Sequence, residues 1–401
     1  MAYAFAGVRT QGLSSLTRSR SMAAVPFAGK FRLIDFTLSN CVNSELYRVA
    51  ILAQYSPHSL IKHVGRGGPW DLNRRDGGVQ IAQPYERLEG RRWYQGTADA
   101  LRQNMDLLEN SGADRVFVLS SELVYKMDYS WMLRDHEKAG ARATIAVGIP
   151  STGGAAHYGV VRIGEDGNAV DHDPDAPFDE HHRAFMGIYL FEAEYLRWLL
   201  SESDAPNLFL DLVRPRLSTP GEIHTHHFEG SWQGISTLAD YLRANQRLVE
   251  EPPVPNLYDN DWRIYTRSEE MPTAWIAPGA TVTDSLISNG AVIEGRVESS
   301  VLSPGVTVES GAVVRNCVLL NGTRVGSGAV LDRVVTDKHV QVGEGATVGG
   351  DAEPTGPITL LGKRSVIDAG ATVDAGSDIP AKDLTLEAYA AAASPAGETG
   401  S

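Results

Sequence analysis

A single acidic side chain, Glu122, follows a short apolar run that has the composition of a buried strand. The run covers residues 115–119, and polar residues follow it directly. In open α/β sheets, ligands bind beyond the carboxyl ends of the strands, which places this carboxylate where a ligand would lie. Carboxylate oxygens are ligands that magnesium accepts. Glu122 is therefore a candidate magnesium ligand.

Three histidines form a second group that could bind a metal ion: His224, His226 and His227. Alternate residues of a strand share a face, so the first two could act as ligands together. A half-exposed strand beside Gly230 explains the same pattern, and we favour that interpretation. The sequence contains no Gly-x-Ser-x-Gly nucleophile motif and no cysteine pair with metal-ligand spacing.

Short apolar runs alternate with helical patterns in the first part of the chain. Candidate strands cover residues 49–53, 115–119 and 143–147, and helical spacing covers residues 98–108 and 129–138. Strands that alternate with helices predict a mostly parallel sheet with helices on both faces, an α/β fold.

The pattern changes after residue 250. Residues 251–255 contain three prolines and have the composition of a linker. From about Ala274, aliphatic residues recur every six positions between glycine-containing turns: Leu302, Val308, Val314 and Leu320. A six-residue period predicts a parallel β-helix, in which each coil stacks its apolar residues on the next. A β-sandwich with glycine-rich turns is the alternative.

These changes of pattern predict the domain boundaries. We expect a first domain at residues 1–250, a linker at 251–273, a β-helix at 274–387 and a disordered tail at 388–401.

Composition narrows the function classes. The 401-residue chain has 50 acidic and 36 basic residues, a formal net charge of -14. This balance disfavours nucleic acid and anionic membranes as partners. Cys41 and Cys317 lie far apart, which fits a reduced, cytoplasmic protein. No apolar run approaches the roughly 20 residues that a membrane-spanning helix needs.

Several segments resemble one known family in order and spacing. Residues 120–129 read Ser-Ser-Glu-Leu-Val-Tyr-Lys-Met-Asp-Tyr, and residues 93–100 read Trp-Tyr-Gln-Gly-Thr-Ala-Asp-Ala. Further matching segments are residues 26–36, 38–44, 54–60, 186–189, 256–259 and 336–340. Together they resemble the ADP-glucose pyrophosphorylase, or glucose-1-phosphate adenylyltransferase, family over nearly the whole chain.

The resemblance implies a Rossmann-like nucleotidyltransferase domain followed by a left-handed parallel β-helix of hexapeptide repeats, assembled into a tetramer. Members of the family make ADP-glucose and pyrophosphate from ATP and glucose 1-phosphate, for glycogen and starch synthesis. The family uses a glycine-rich loop, an arginine and a lysine for ATP, two aspartates for magnesium, and a lysine for the sugar phosphate.

At the ATP positions implied by the resemblance, this chain differs from the family. The loop should read Ala-Gly-Gly-x-Gly-x-Arg-Leu, but residues 6–13 read Ala-Gly-Val-Arg-Thr-Gln-Gly-Leu. Val8 and Thr10 therefore add side chains where backbone amides would approach phosphate. Gly12 replaces the catalytic arginine, and Met22 replaces the ATP lysine.

The metal and sugar positions differ as well. Glu122 replaces the first metal aspartate, and Gly234 replaces the second. Asp173 replaces the sugar-phosphate lysine and reverses its charge, and Phe185 replaces a serine of the sugar site. No catalytic position is intact, and we expect magnesium binding to be weak or absent.

Other family positions are retained. The nucleotide pocket keeps Gln54, Trp93, Tyr94, Gly96, Thr97 and Asp99. In the family, the positions of Gln54 and Trp93 pass the effector signal to the active site. For Trp93 and Tyr94, simple core packing is the alternative and is slightly favoured.

A basic group provides candidate effector ligands. Lys30 and Arg32 match a segment near the allosteric phosphate site of the family, and Arg48 lies in the same region. A solvated surface pair explains Lys30 and Arg32 equally well, so both interpretations remain open.

These features predict an ADP-glucose pyrophosphorylase-like chain that is a low-activity or non-catalytic regulatory subunit. We expect a homo- or hetero-tetramer, with an intact homologue as one candidate partner and a sugar phosphate or nucleotide as effector. One alternative is an active enzyme with a modified site. Another is an effector-sensing or scaffolding protein outside glycogen synthesis.

Overall fold

The structure is a computed structural model that describes residues 1–7, 12–84, 86–87, 90–91, 93–151, 159–173, 176, 179, 181–350 and 356–382. The chain divides into two compact units, Met1–Ser268 and Glu269–Ser401. Val8, Thr10 and the predicted tail at 388–401 lie outside the described residues.

The first unit is built on a mixed β-sheet. The strands described in this unit are β1 (Ala2–Phe5), β2 (Pro26–Phe27), β3 (Phe31–Arg32), β4 (Arg48–Leu52), β5 (Gly78–Ala82), β6 (Glu86–Arg87), β7 (Gly90–Arg91), β8 (Arg115–Ser120), β9 (Leu123–Tyr125), β10 (Ala143–Gly148), β11 (Val160–Ile163), β12 (Ala169–His172), β13 (His182–Glu192), β14 (Ile223–Phe228) and β15 (Trp232–Gly234).

The main sheet has the strand order β12-β11-β13-β8-β1-β4-β5, and β10 joins β13 to β14. Strands β8, β1, β4 and β5 run parallel, whereas β13 runs antiparallel to β8. The carboxyl ends of the parallel strands therefore form one edge, where Phe5 pairs with both Leu52 and Ser120. The amino-terminal half of β13 continues past this edge.

The described helices of the first unit are α1 (Leu33–Asn43), α2 (His58–Val64), α3 (Thr97–Gln103), α4 (Met105–Ser111), α5 (Tyr129–Ala139), α6 (Ala193–Ser201) and α7 (Leu238–Gln246). Short 3-10 turns cover Ser14–Thr17, Met22–Ala24, Gly68–Trp70 and Arg214–Arg216, and a π-helix covers Leu208–Val213. No helix among the described residues is both long and apolar enough to cross a lipid bilayer.

The alternation of strands and helices confirms the predicted α/β fold, with one difference. A single helix was predicted over residues 98–108, but α3 and α4 are separated at Asn104. The hydroxyl of Tyr3 donates to the carbonyl oxygen of Asn104 at 2.6 Å, and the Asn104 amide donates to Ala100 at 2.8 Å. These buried contacts hold Asn104 at the point where the helix is interrupted between α3 and α4.

Part of the predicted linker packs on the first unit. The indole N–H of Trp262 donates to Asn40 at 2.9 Å, and Tyr265 donates its N–H to Ser39 at 2.8 Å. Lys126 forms an ion pair with Asp259 at 3.1 Å. Residues 259–265 therefore lie against α1 and the residues that follow β9.

The second unit is a parallel β-helix. Its strands within the described residues are β16 (Trp275–Ile276), β17 (Thr281–Thr283), β18 (Leu286–Ile287), β19 (Val292–Ile293), β20 (Arg296–Glu298), β21 (Val301–Leu302), β22 (Thr307–Val308), β23 (Val313–Arg315), β24 (Val318–Leu319), β25 (Arg324–Val325), β26 (Val330–Asp332), β27 (Val334–Thr336), β28 (Gln341–Val342), β29 (Thr347–Gly349), β30 (Thr359–Leu361), β31 (Val366–Ile367), β32 (Thr372–Val373) and β33 (Asp378–Ile379).

These strands form three parallel sheets, each with one strand from every coil. Val297 pairs with Val314, and Val314 with Leu331, so equivalent apolar residues stack from coil to coil. Leu302, Val308 and Val314 are fully buried. The six-residue period is confirmed, and the β-sandwich alternative is wrong because the coils pair in parallel.

Candidate functional site

Glu122 lies between β8 and β9, directly past the carboxyl end of β8. Strand β9 pairs antiparallel with β15, and this pairing places Gly234 opposite Leu123. The N–H of Ile235 donates to the carbonyl oxygen of Glu122 at 3.0 Å. The fold therefore brings together the two positions that the resemblance assigns to the magnesium aspartates.

This pair of positions supplies one carboxylate, because Gly234 has no side chain. Glu122 itself is buried, with 6% of its surface exposed. Among the residues that the structure describes, no group of three or more His, Cys, Asp and Glu side chains could hold a metal ion. The residues present therefore do not fit a two-carboxylate magnesium site.

Gly12 lies against the backbone that follows β15. A Cβ atom at Gly12 would lie 2.1 Å from the carbonyl oxygen of Ser236. The N–H of Leu238 also donates to the carbonyl oxygen of Gly12 at 2.9 Å. The backbone in this arrangement has no room for the arginine that the family carries at this position.

Met22 begins the 3-10 turn Met22–Ala24 and is 1% exposed. Its side chain is therefore part of the protein interior. The position that holds a lysine in the family contributes apolar packing here, and a thioether offers no positive charge to a phosphate group.

The sugar positions lie near β12 and β13. Asp173 is exposed directly after β12, and its N–H donates to Val160 at 2.8 Å. Phe185 on β13 is buried and stacks on Phe209, with ring centroids 4.3 Å apart. The ring of His172 meets Phe209 edge-on at 5.1 Å. Burial lowers the pKa of His172, and nearby Arg214 adds to that effect.

Gln54 fixes the backbone of the loop that precedes α3. Its amide accepts a hydrogen bond from the N–H of Tyr94 at 2.5 Å and donates to the Tyr94 carbonyl at 3.2 Å. Trp93, one residue earlier, is 59% exposed. The favoured core-packing interpretation is therefore wrong for Trp93, whereas Tyr94 is partly buried against the core.

The residues of the predicted pocket wall are held by backbone contacts. A Cβ atom at Gly96 would lie 2.4 Å from the carbonyl oxygen of Pro206, which accepts the N–H of Ala98 at 2.8 Å. The hydroxyl of Thr97 accepts the N–H of Leu208 at 2.9 Å. Asp99 accepts the N–H of Gln95 at 2.8 Å and is buried.

A cavity of 190 Å³ lies beside these contacts, at the carboxyl ends of β1 and β4. The described residues that line it are Phe5, Gly7, Leu52, Gln54, Tyr94, Gln95, Gly96, Thr97 and Ala100. Four predicted pocket residues, Gln54, Tyr94, Gly96 and Thr97, lie on this wall. Asp99 does not line the cavity but accepts a hydrogen bond from the backbone of Gln95, which does. Trp93 does not line the cavity.

Sequence reasoning missed several of these residues. Phe5 and Leu52 end strands β1 and β4 at the carboxyl edge of the sheet, so the strand pattern could have identified them. Pro206 and Leu208 reach the wall from far along the chain, and no local pattern marks them.

The three candidate effector residues are not grouped together. Arg32 donates to the carbonyl and hydroxyl oxygens of Ser59 at 2.9 and 2.7 Å, after the carboxyl end of β4. Arg48 begins β4 and donates to the Ser111 carbonyl. A five-residue strand spans about 13–17 Å, so the two arginines lie at opposite ends of β4. Lys30 is exposed, with its Nζ 5.1 Å from the Phe31 ring centroid.

The histidine triplet lies on β14, which confirms the strand interpretation. His226 bonds Asp135 at 2.7 Å, and His227 bonds the Gly167 carbonyl at 2.7 Å. Burial lowers the pKa of His224. His226 and His227 therefore serve contacts between neighbouring elements.

Comparison with known proteins agrees with the division of the chain into two units of different fold. A family model described as nucleotidyl transferase matches residues 5–251, and one described as GlmU-like, C-terminal hexapeptide, matches residues 277–355. The glucose-1-phosphate adenylyltransferase of Thermotoga neapolitana is 43% identical over 321 residues, which cover 79% of this chain and 76% of that protein. That of Thermomicrobium roseum is 46% identical over 294 residues, 72% of this chain and 68% of that protein.

The chain belongs to the glucose-1-phosphate adenylyltransferase family. The nucleotidyltransferase unit and the hexapeptide β-helix are thus both assigned from similarity and from the fold. Within this family, the chain has both units but carries Gly12, Met22 and Gly234 where the resemblance implies an arginine, a lysine and an aspartate.

Proposed function

We propose that the chain is a regulatory member of the glucose-1-phosphate adenylyltransferase family with little or no catalytic activity of its own. The observation that carries this proposal is the closeness of Glu122 to Gly234, which lies opposite Leu123 in the β9–β15 pair; it leaves one carboxylate where two would be needed for magnesium. Nucleotidyl transfer builds negative charge on phosphate oxygens, and metal ions and cationic side chains stabilise that charge.

The two positions that the resemblance assigns to an arginine and a lysine support the same conclusion. Gly12 lies against Ser236 with no room for a side chain, and Met22 is buried. Losing contacts that are made only in the transition state lowers kcat and kcat/KM together. Several such losses at one site therefore remove most of the rate enhancement.

The cavity at the carboxyl ends of β1 and β4 supports retained binding of a nucleotide ligand. Its wall is fixed by the Gln54 amide and by the contacts of Gly96 and Thr97 with Pro206 and Leu208. A protein that binds a ligand without turning it over can bias the equilibrium of an attached subunit. We propose that its partners are further copies or an intact homologue, in a tetramer, and that its effector is a nucleotide or sugar phosphate.

The test is an assay of the purified chain with ATP, glucose 1-phosphate and magnesium, alone and mixed with an intact homologue. We expect no pyrophosphate release above background from the chain alone, and a changed effector response of the homologue in the mixture. Turnover by the chain alone at about 1 to 1000 per second, the usual range for enzymes, would favour the alternative of an active enzyme with a modified site.

Metal binding gives a second readout that does not depend on activity. Gly234→Asp is expected to bind Mn²⁺ more tightly than the wild type, because it places a second carboxylate beside Glu122. The matched control is Gly68→Asp, at a position with no atom within 4 Å of an added Cβ. Equal Mn²⁺ affinity in the wild type and Gly234→Asp would contradict the incomplete metal site.

A further inference from the structure

Three features lie in order along the carboxyl edge of the main sheet. The cavity is lined by Phe5 and Leu52, the last residues of β1 and β4. Glu122 follows β8, the next strand along. Phe185 lies on β13, beyond β8, and because Ile188 pairs with Leu119, residue 185 extends past the end of β8. A ligand that runs along this edge from the cavity therefore passes Glu122 and then reaches Phe185.

The distance from β1 to β13 along this edge matches the length of an extended ligand. Neighbouring strands lie about 4.8 Å apart, so β13 is about 10 Å from β1. A nucleotide with its base in the cavity would cover this distance with its ribose and phosphates. A sugar attached to the last phosphate would then meet β13 at Phe185.

The space at Phe185 is filled by aromatic rings. Phe185 and Phe209 are stacked at 4.3 Å with an angle of 16° between their planes. Tyr189 packs edge-on against Phe185 at 5.0 Å, and His172 packs edge-on against Phe209 at 5.1 Å. Phe185 and Phe209 are buried in the hydrophobic core.

The same stack is anchored to the wall of the cavity. Phe209 lies in the π-helix Leu208–Val213, and π-helices are rare and often occur at functional sites. The N–H of Leu208 donates to the Thr97 hydroxyl on the cavity wall. The fold therefore fixes the position of the aromatic stack relative to the cavity.

We propose that a ligand groove runs along this edge from the cavity past Glu122 and that the Phe185–Phe209 stack closes its far end, so that the site takes an adenosine phosphate without a sugar in place of a nucleotide sugar. This inference rests on the proposed function, in which the cavity keeps nucleotide binding and the chain lacks catalysis. Phe185 is then the specificity-determining residue that excludes the hexose.

The test compares the binding of ADP, ADP-glucose and ADP-mannose to the full-length chain by isothermal titration calorimetry. We expect ADP to bind at least as tightly as either nucleotide sugar, and the two sugars to be bound within about twofold of each other, because the hexose remains outside the closed site. A preference for ADP-glucose over ADP-mannose of tenfold or more overturns the inference.

A variant tests the role of the stack directly. Phe185→Ser removes one ring, and we expect ADP-glucose to gain about tenfold or more relative to ADP, the discrimination that one group in an apolar pocket provides. The matched control is Phe185→Leu, which keeps apolar bulk and is expected to leave that ratio unchanged. An unchanged ratio in a folded Phe185→Ser variant overturns the inference.

The wild-type comparison decides the question if Phe185→Ser does not fold. Failure of this inference is also distinct from failure of the proposed function. A chain that prefers ADP-glucose but releases no pyrophosphate contradicts the closed groove alone, whereas pyrophosphate release contradicts the absence of catalysis. A chain that binds none of the three nucleotides overturns the inference.

Discussion

At the residue scale, Gly12 joins two segments that are far apart in the sequence. Its α-carbon lies so close to Ser236 that an added Cβ would be 2.1 Å from a carbonyl oxygen. Gly12 also accepts the N–H of Leu238. Restoring the family arginine at this position therefore requires the backbone to move before the new side chain can act.

We predict that Gly12→Ala lowers the free energy of unfolding by about 1–3 kcal/mol, the usual cost of overpacking. Gly12→Arg should be at least as destabilising and should not produce activity by itself. The measurement is the midpoint of urea denaturation. Gly68→Ala is the matched control, because no atom lies within 4 Å of its added Cβ, and it should change stability little. A Gly12→Ala variant as stable as the wild type would mean that this backbone is not constrained by Ser236.

Single residues differ in how well the sequence predicts them. Glu122 could be placed because a strand end is a local feature, and the structure places it there. The exposure of Trp93 could not be predicted, because an aromatic ring beside a retained loop has the same sequence pattern whether it is buried or not. The closeness of Gly12 to Ser236 depends on contacts between distant segments, which one sequence does not contain.

At the element scale, α1 is tied to the segment 259–265 by buried polar groups. Asn40 is fully buried, and its amide oxygen accepts the Trp262 indole N–H at 2.9 Å and the Met127 N–H at 3.2 Å. Its amide nitrogen donates to the Tyr125 carbonyl at 3.3 Å. One side chain of α1 therefore satisfies groups from two other segments, residues 125–127 and 259–265.

Replacing Asn40 by alanine should leave these groups without their partner. An unsatisfied buried donor or acceptor costs about 1–3 kcal/mol, and we expect Asn40→Ala to lower the free energy of unfolding by at least that amount. The control is Asn43→Ala on the same helix, whose amide bonds the Arg263 carbonyl in an exposed position. Chemical denaturation of both variants checks this, and equal stabilities would argue against a special role of Asn40.

A buried histidine links α5 to two strands. His136 bonds the Thr144 hydroxyl at 2.8 Å and the Glu192 carboxylate at 3.1 Å, and Arg115 pairs with the same carboxylate. Burial lowers the pKa of His136 below its usual value of 6.5, although Glu192 opposes this effect. The unfolded chain therefore binds a proton at His136 more readily than the folded chain does.

We predict from this difference that stability falls as the pH is lowered through 6.5 towards the folded pKa of His136. Between these two values the unfolded state carries more protons, so the free energy of unfolding rises with pH, and the contribution is complete above 6.5. His136→Gln, which cannot titrate, should show a shallower dependence between pH 5 and 8 in urea denaturation. The same pH dependence in both proteins would assign the effect to other groups, such as His172 and His224, whose pKa values burial also lowers.

Elements were predicted best where their pattern is local. The apolar runs gave β4, β8 and β10 to within about one residue, and the six-residue period gave the β-helix. The interruption between α3 and α4 was missed because the Tyr3 hydroxyl, which bonds Asn104, comes from a strand about a hundred residues earlier. Periodicity within a helix carries no information on such a contact.

At the scale of the whole molecule, the chain has two separate hydrophobic cores, one in each unit. The first unit ends at Ser268, and the apolar residues of the β-helix form a cluster of their own. Similarity also assigns each part to a separate family model. A chain that ends at Ser268 keeps the segment 259–265 on α1 and is expected to remain folded.

The β-helix has a feature that favours assembly. Strand β16 ends the order of its sheet, so one of its edges pairs with no other strand among the described residues. Trp275 and Ile276 on this strand are 51% and 48% exposed. Terminal strands with exposed apolar side chains tend to pair with another chain unless they are covered. We therefore expect β16 to contribute to the interface of the proposed tetramer.

We predict that the full-length chain is an oligomer in multi-angle light scattering and that the chain ending at Ser268 is a monomer. Ile276→Lys should shift the full-length chain towards smaller species, because a charged side chain on an edge strand opposes pairing. Tyr258→Lys is the matched control, since Tyr258 is 72% exposed in the first unit, and it should not change the mass. If the chain ending at Ser268 kept the full-length oligomeric state, the interface would have to lie in the first unit. If Ile276→Lys alone had no effect, the assembly would use another face of the β-helix.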